Sequence, residues 1–108
     1  MAYYMVQAAY TAEAIAGMVK KPEDRAAAIA PVVEGLGGKL IGLWFCFGEY
    51  DVVGISEMPD NVSATAFAMA VAQSGKMKSF KTTPLMTTAE AMKAMKKAGG
   101  VGYRPPGK

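Results

Sequence analysis

Histidine is absent from this chain of 108 residues, and cysteine occurs once. Imidazole is the commonest general base near neutral pH and the commonest metal ligand, so its absence removes histidine-based metal centres and Ser/His or Cys/His catalysis. A lone Cys46 cannot form an internal disulfide. Long apolar runs are missing too: the chain is 52% hydrophobic, yet no run approaches the roughly 20 residues of a membrane-spanning helix. No basic, then apolar, leader precedes Ala2-Tyr3-Tyr4-Met5-Val6. Together these absences predict a soluble, cytoplasmic protein with no membrane partner, no metal and no cofactor.

Acidic side chains are scarce in the last third. Residues 1–75 carry four basic and eight acidic side chains, whereas residues 76–108 carry eight basic and one acidic. The basic segment suits either an anionic partner or a solvated face that complements the acidic part of another subunit.

What is present divides cleanly into elements. Tyr3 to Tyr10 is aromatic and branched and reads as a strand. Thr11 caps a helix in which Ile15, Met18 and Val19 share a face. Pro22 suits the first position of a second helical segment, with Ile29, Val32, Val33 and Leu36 as its buried stripe, a bend at Pro31 and a stop at Gly37-Gly38. Lys39 to Phe47 is a second strand, apolar on both sides: strict alternation sets Leu40, Trp44 and Cys46 against Ile41, Leu43, Phe45 and Phe47. Asp51 to Glu57 returns antiparallel after a short turn. Asp60 and Asn61 cap a helix over residues 62–74 that holds no charge, a sign of cover on more than one side. Met77 to Met86 is the fourth strand. Thr87-Thr88-Ala89-Glu90 is a capping box for an added helix over residues 88–98, and residues 99–108 form an irregular tail.

Strand, helix, strand, strand, helix, strand is the split βαβ order of an α+β, ferredoxin-like domain, here a single domain over residues 1–108. Right-handed crossovers place the main helices on one face of a four-stranded antiparallel sheet. The other face is left bare. A second copy of the chain would cover it, which predicts a homodimer or a dimer-based oligomer.

Phe47-Gly48-Glu49-Tyr50-Asp51-Val52-Val53, followed by Met58-Pro59-Asp60-Asn61, resembles the signature of the GYD domain family. Tyr10-Thr11-Ala12-Glu13, Leu36-Gly37-Gly38-Lys39, Asn61-Val62-Ser63-Ala64, Ser74-Gly75 and Thr82-Thr83-Pro84-Leu85 resemble further pieces of the same pattern, in order. Tyr103-Arg104-Pro105-Pro106-Gly107 is similar to the ending of one subgroup, and Ala14 departs from the glycine common there. The resemblance implies a small bacterial or archaeal dimeric α/β barrel and brings no catalytic residues with it.

Two groups of residues can carry a function. Tyr3, Gln7 and Trp44 offer an aromatic and amide lining for a small apolar ligand between two sheets, or serve dimer packing. Glu49, Tyr50 and Asp51 set two carboxylates and a phenol at the hairpin, for proton transfer or for gripping a cation, or else serve turn chemistry. Cys46, between bulky apolar neighbours, reads as a small buried hydrophobe. The nine methionines are dispersed, as core filling is. RNA-recognition modules share this element order but carry stacking aromatics on the third strand; here that strand is acidic and ringless, so no nucleic-acid partner is expected. The expected function is a non-catalytic, homo-oligomeric ligand-binding or accessory protein, and its alternative a cofactor-free barrel enzyme of oxygenase, isomerase or decarboxylase type.

Overall fold

A computed structural model describes residues 1–107; Lys108, the end of the expected tail, lies outside the described residues. The elements are β1 (Ala2–Tyr10), α1 (Ala12–Lys20), α2 (Arg25–Gly35), β2 (Lys39–Phe45), β3 (Val52–Met58), α3 (Asn61–Ala72), β4 (Met77–Leu85) and α4 (Thr88–Gly99). The four strands form one antiparallel sheet in the order β2-β3-β1-β4. This is the expected α+β, ferredoxin-like arrangement with an added C-terminal helix.

Local chemistry sets most boundaries. The Thr11 hydroxyl accepts the Ala14 N–H at 3.1 Å and starts α1. Asp60 does the same for α3, its carboxylate accepting the Ser63 N–H at 2.8 Å, and that bond holds the Asp60 carboxyl below its ordinary pKa. Thr87 and Glu90 exchange both bonds of a capping box at the start of α4. The expected start at Pro22 is corrected: Asp24 caps α2, its carboxylate accepting the Ala26 N–H at 3.0 Å, so the helix opens three residues later and runs on through Pro31. An oxygen able to accept two orphan amides outweighs a favourable proline φ. After α2, Gly37 takes φ 83°. Gly38 then passes so close to β3 that a Cβ there would sit 2.4 Å from the Glu57 carbonyl oxygen.

Alternation along β1 and β3 separates an inside from an outside. Tyr4, Ala8 and Tyr10 face the helices with Val52, Gly54, Ser56 and Met58, all of them buried. One cluster joins Tyr4 and Met58 to Val33, Ala64 and Phe67, and a second joins Ala8, Tyr10 and Val52 to Ala14 and Met18. The α1 stripe is therefore Ala14 and Met18, and Val19 is 74% exposed. At the far end of the chain, α4 buries no residue and has no substantial contact with another element. The radius of gyration is accordingly 17.5 Å, against about 13 Å for a compact domain of this length.

Strand β2 corrects the expected alternation. Leu40 pairs with Ser56 and Gly42 with Ile55, so Ile41 is a bulged extra residue. The bulge reverses the phase: Leu40, Leu43 and Phe45 face the helices, and Trp44 with Gly42 faces the open side. Phe45 accordingly stacks on Tyr10 with ring centroids 6.1 Å apart. Leu40 and Trp44 do not share a face. Cys46 is likewise corrected from buried to exposed: β2 has ended at Phe45, and the thiol donates to the Tyr50 carbonyl at 3.2 Å. The charge-free α3 covers the core with Ala64 and Phe67 and leaves Val62 and Met69 bare in the single chain.

Candidate functional site

Three cross-strand rows make up the open face. Lys39, Glu57, Tyr3 and Leu85 form one; Gly42, Ile55, Met5 and Thr83 the next; Trp44, Val53, Gln7 and Lys81 the third. The centre is apolar and the margins are charged. Trp44 is 53% exposed and its indole lies across Gly42, where a Cβ would come within 2.5 Å of the ring. The missing side chain at Gly42 lets an aromatic plate lie flat on the sheet.

Of the residues expected there, Gln7 and Trp44 share a row, separated by Val53. Tyr3 is on the same face at the opposite end, four residues along β1 and so about 13 Å from Gln7. Its hydroxyl hydrogen-bonds with the Glu57 carboxylate, and that bond, then the charges of Glu57 and Glu90, raise the phenol above its ordinary pKa of 10.0. Sequence reasoning omitted Met5, Val53 and Ile55, the half-buried middle of the face. The alternation of β1 and β3 could have found them, since each sits between residues destined for the core.

Glu49, Tyr50 and Asp51 lie in the connection from β2 to β3, away from these rows. Glu49 is exposed and Tyr50 half-buried. The Asp51 carboxylate accepts the Tyr10 N–H at 2.8 Å, its own N–H donates to the Ala8 carbonyl at 2.9 Å, and its carbonyl accepts the Cys46 N–H at 2.8 Å. Pairing of β1 with β3 stops at Ala8 and Val52, so the Tyr10 amide has outrun its partner strand and a side chain takes over. Among the described residues no three His, Cys, Asp or Glu side chains converge in a way that could hold a metal ion. No helix is long and apolar enough to cross a membrane, again among the described residues.

A sheet roofed by helices on one side and bare, apolar and aromatic on the other places the chain among α+β proteins of ferredoxin-like topology with an unpartnered sheet face. Its sequence matches the GYD domain over residues 4–95, which runs from Tyr4 of β1 through most of α4, and the chain belongs to that family. No curated protein matches it.

Proposed function

We propose that this protein is a homodimeric binding module in which the open faces of two sheets meet and hold a small apolar or aromatic molecule between them. The observation that carries this reading is the uncovered row structure itself: Met5, Ile55, Val53 and Trp44 form a continuous apolar surface on an otherwise well-formed sheet, and such surfaces mark interaction sites. Exposed Met92 and Met95 on the detached α4 supply a second apolar stripe that a partner subunit would cover. Trp44 over Gly42 is the aromatic wall of the enclosed space, and the Gln7 amide in the same row supplies a donor and an acceptor that orient a ligand.

Light scattering across micromolar concentrations tests the assembly: a dimer is expected, and a stable compact monomer overturns the reading. Trp44→Asp places a charge in the dry interface at a cost of several kcal/mol and should yield monomers with unchanged helix content. Trp44 is the chain's one tryptophan, so its emission reports directly on this space. Small aromatic and aliphatic metabolites should shift that emission and raise the melting temperature together. A ligand that raises the melting temperature and leaves Trp44 emission untouched binds elsewhere.

A further inference from the structure

The opposite side of the sheet contains a cavity that no functional expectation touched. Helix α2 packs on β2 and α3 chiefly on β4, the two edge strands of the order β2-β3-β1-β4. The helices therefore stand apart, and the central strands β3 and β1 lie beneath the gap. Among the inward residues there, Ala8, Gly54 and Ser56 are small and form the low part of a floor completed by Val6, Tyr10 and Val52. Ile29 and Val32 of α2 and Val71 of α3 make the walls of a slot of about 350 Å³, within the size range of small-molecule sites. An ordinary core would fill this space with large side chains at close-packed density. Here Gly54 and Ser56 take consecutive inward positions of β3, and Ala8 lies diagonally from Gly54 on β1.

The charge on the slot has one sign and one location. Among the described residues its two charged lining side chains are Arg25 and Lys76, both cationic. Both lie at the end of β1. Arg25 interacts with the Tyr10 side chain, and the Lys76 carbonyl accepts the Thr11 N–H at 2.9 Å. Among the described residues each cation has one carboxylate partner on the outer surface, Glu23 for Arg25 and Glu13 for Lys76. Such exposed pairs are weak and leave further donors on both cations. An apolar slot with two cations at one end selects a molecule with an apolar body and an anionic head. A guanidinium and an ammonium lining one site suit a carboxylate, to which either can give charge-assisted hydrogen bonds.

We propose that the slot between α2 and α3 is a binding site for an apolar monocarboxylate, its carboxylate at Arg25 and Lys76 and its hydrocarbon over Ala8 and Gly54. This site is separate from the open face and does not depend on it.

Calorimetric titration of the full chain with hexanoate, heptanoate and octanoate, and with octanol as the uncharged control, tests the assignment. One carboxylate should bind per chain, with affinity rising about fourfold per added methylene, the value of burying each CH₂. Octanol should bind about tenfold more weakly than octanoate. Arg25→Met with Lys76→Met should remove that tenfold preference and leave octanol affinity as it was. Ala70→Phe, which points a ring into the slot from α3, should abolish binding of both. Gly54→Ala provides a milder block, because the new methyl would meet the Leu43 Cδ1 at 2.8 Å and push that flexible side chain into the slot. Circular dichroism confirms that each variant folds. Equal affinity for octanoate and octanol overturns the carboxylate assignment. Unchanged octanoate binding in both Ala70→Phe and Gly54→Ala overturns the location, and loss of binding in Trp44→Asp alone moves the ligand to the open face. If octanoate instead dissociates the assembly, the slot's occupant is a second copy of the chain and the proposal fails.

Discussion

Tyr3 and Tyr4 are chemically identical neighbours on one strand, and they lead opposite lives. Tyr4 is 4% exposed, packs with Met58 and Phe67, and donates its hydroxyl to the Asn61 side chain at 2.5 Å. Tyr3 is 36% exposed and engages a carboxylate at the margin of a bare face. One step of the pleat separates a residue that holds the fold together from one free to hold something else. The same contrast runs through the whole sheet. Inward positions have their partners within the chain, and the central outward positions, Met5, Val53, Ile55 and Trp44, are apolar too and lie open. Apolarity alone therefore does not tell a core from an open face; the difference lies in which elements the chain itself supplies to cover it.

That contrast can be tested at matched residues. Met58, 1% exposed beneath α3, and Met5, on the open face, are the same side chain on adjacent strands. Met58→Ala should cost about 2–5 kcal/mol of unfolding free energy through the cavity it leaves. Met5→Ala should change single-chain stability by about 0.5 kcal/mol or less and instead weaken association. Denaturant melts at two protein concentrations separate these effects, since only an association defect depends on concentration. Equal losses for both would erase the distinction between the faces.

A smaller effect is expected at the end of β1. Asp51→Asn keeps an oxygen for the Tyr10 amide and loses the charge, so it should cost about 1 kcal/mol, and Asp51→Ala about 1–3 kcal/mol. Both losses should appear in chemical denaturation with assembly and ligand response retained. Normal stability with abolished ligand response would make Asp51 a binding group and extend the functional region to the hairpin.

The smallest effect sharpens the comparison at the tyrosines themselves. Hydrogen bonding to Glu57 favours the neutral Tyr3 phenol in the folded state, which raises its pKa above the ordinary 10.0. The associated stabilisation is present below that ordinary value and is lost as pH rises through the raised one. Ultraviolet titration should show Tyr3 ionising later in the native protein than in Glu57→Gln, where the curve returns toward the ordinary value. No difference between the two proteins would detach Tyr3 from Glu57.

How much of this was legible in the residues depended on the range of the interaction. Caps and stops are local, so Thr11, Asp60, the Thr87-Glu90 box and Gly37-Gly38 were read directly. The alternation in β1 and β3 is also local and gave the faces of Tyr3 and Gln7. Strand β2 departs from its sequence pattern because a bulge belongs to a pair of strands and leaves no mark in one. The burial assigned to Cys46 failed for the same reason: where β2 ends is decided by its partner. The slot between α2 and α3 was invisible, because it depends on the spacing of two helices over different edge strands. Ala8, Gly54 and Ser56 gave a faint signal, small residues at inward positions, that acquires meaning only once the sheet order is known.

The bulge at Ile41 makes β2 a strand with two reading frames. Before it, Leu40 is written in the frame that faces the helices; after it, the frame has slipped by one, so that Leu43 and Phe45 face inward and Trp44 outward. Removing Ile41 would take out the extra residue and leave Leu40, Gly42, Leu43, Trp44 and Phe45 in plain alternation opposite the same partners, so the downstream frame would be kept and the strand straightened. Substitutions along this strand alter one surface at a time, and a deletion at the bulge spares both, whereas a deletion at a paired position such as Leu43 would exchange the faces of Trp44 and Phe45.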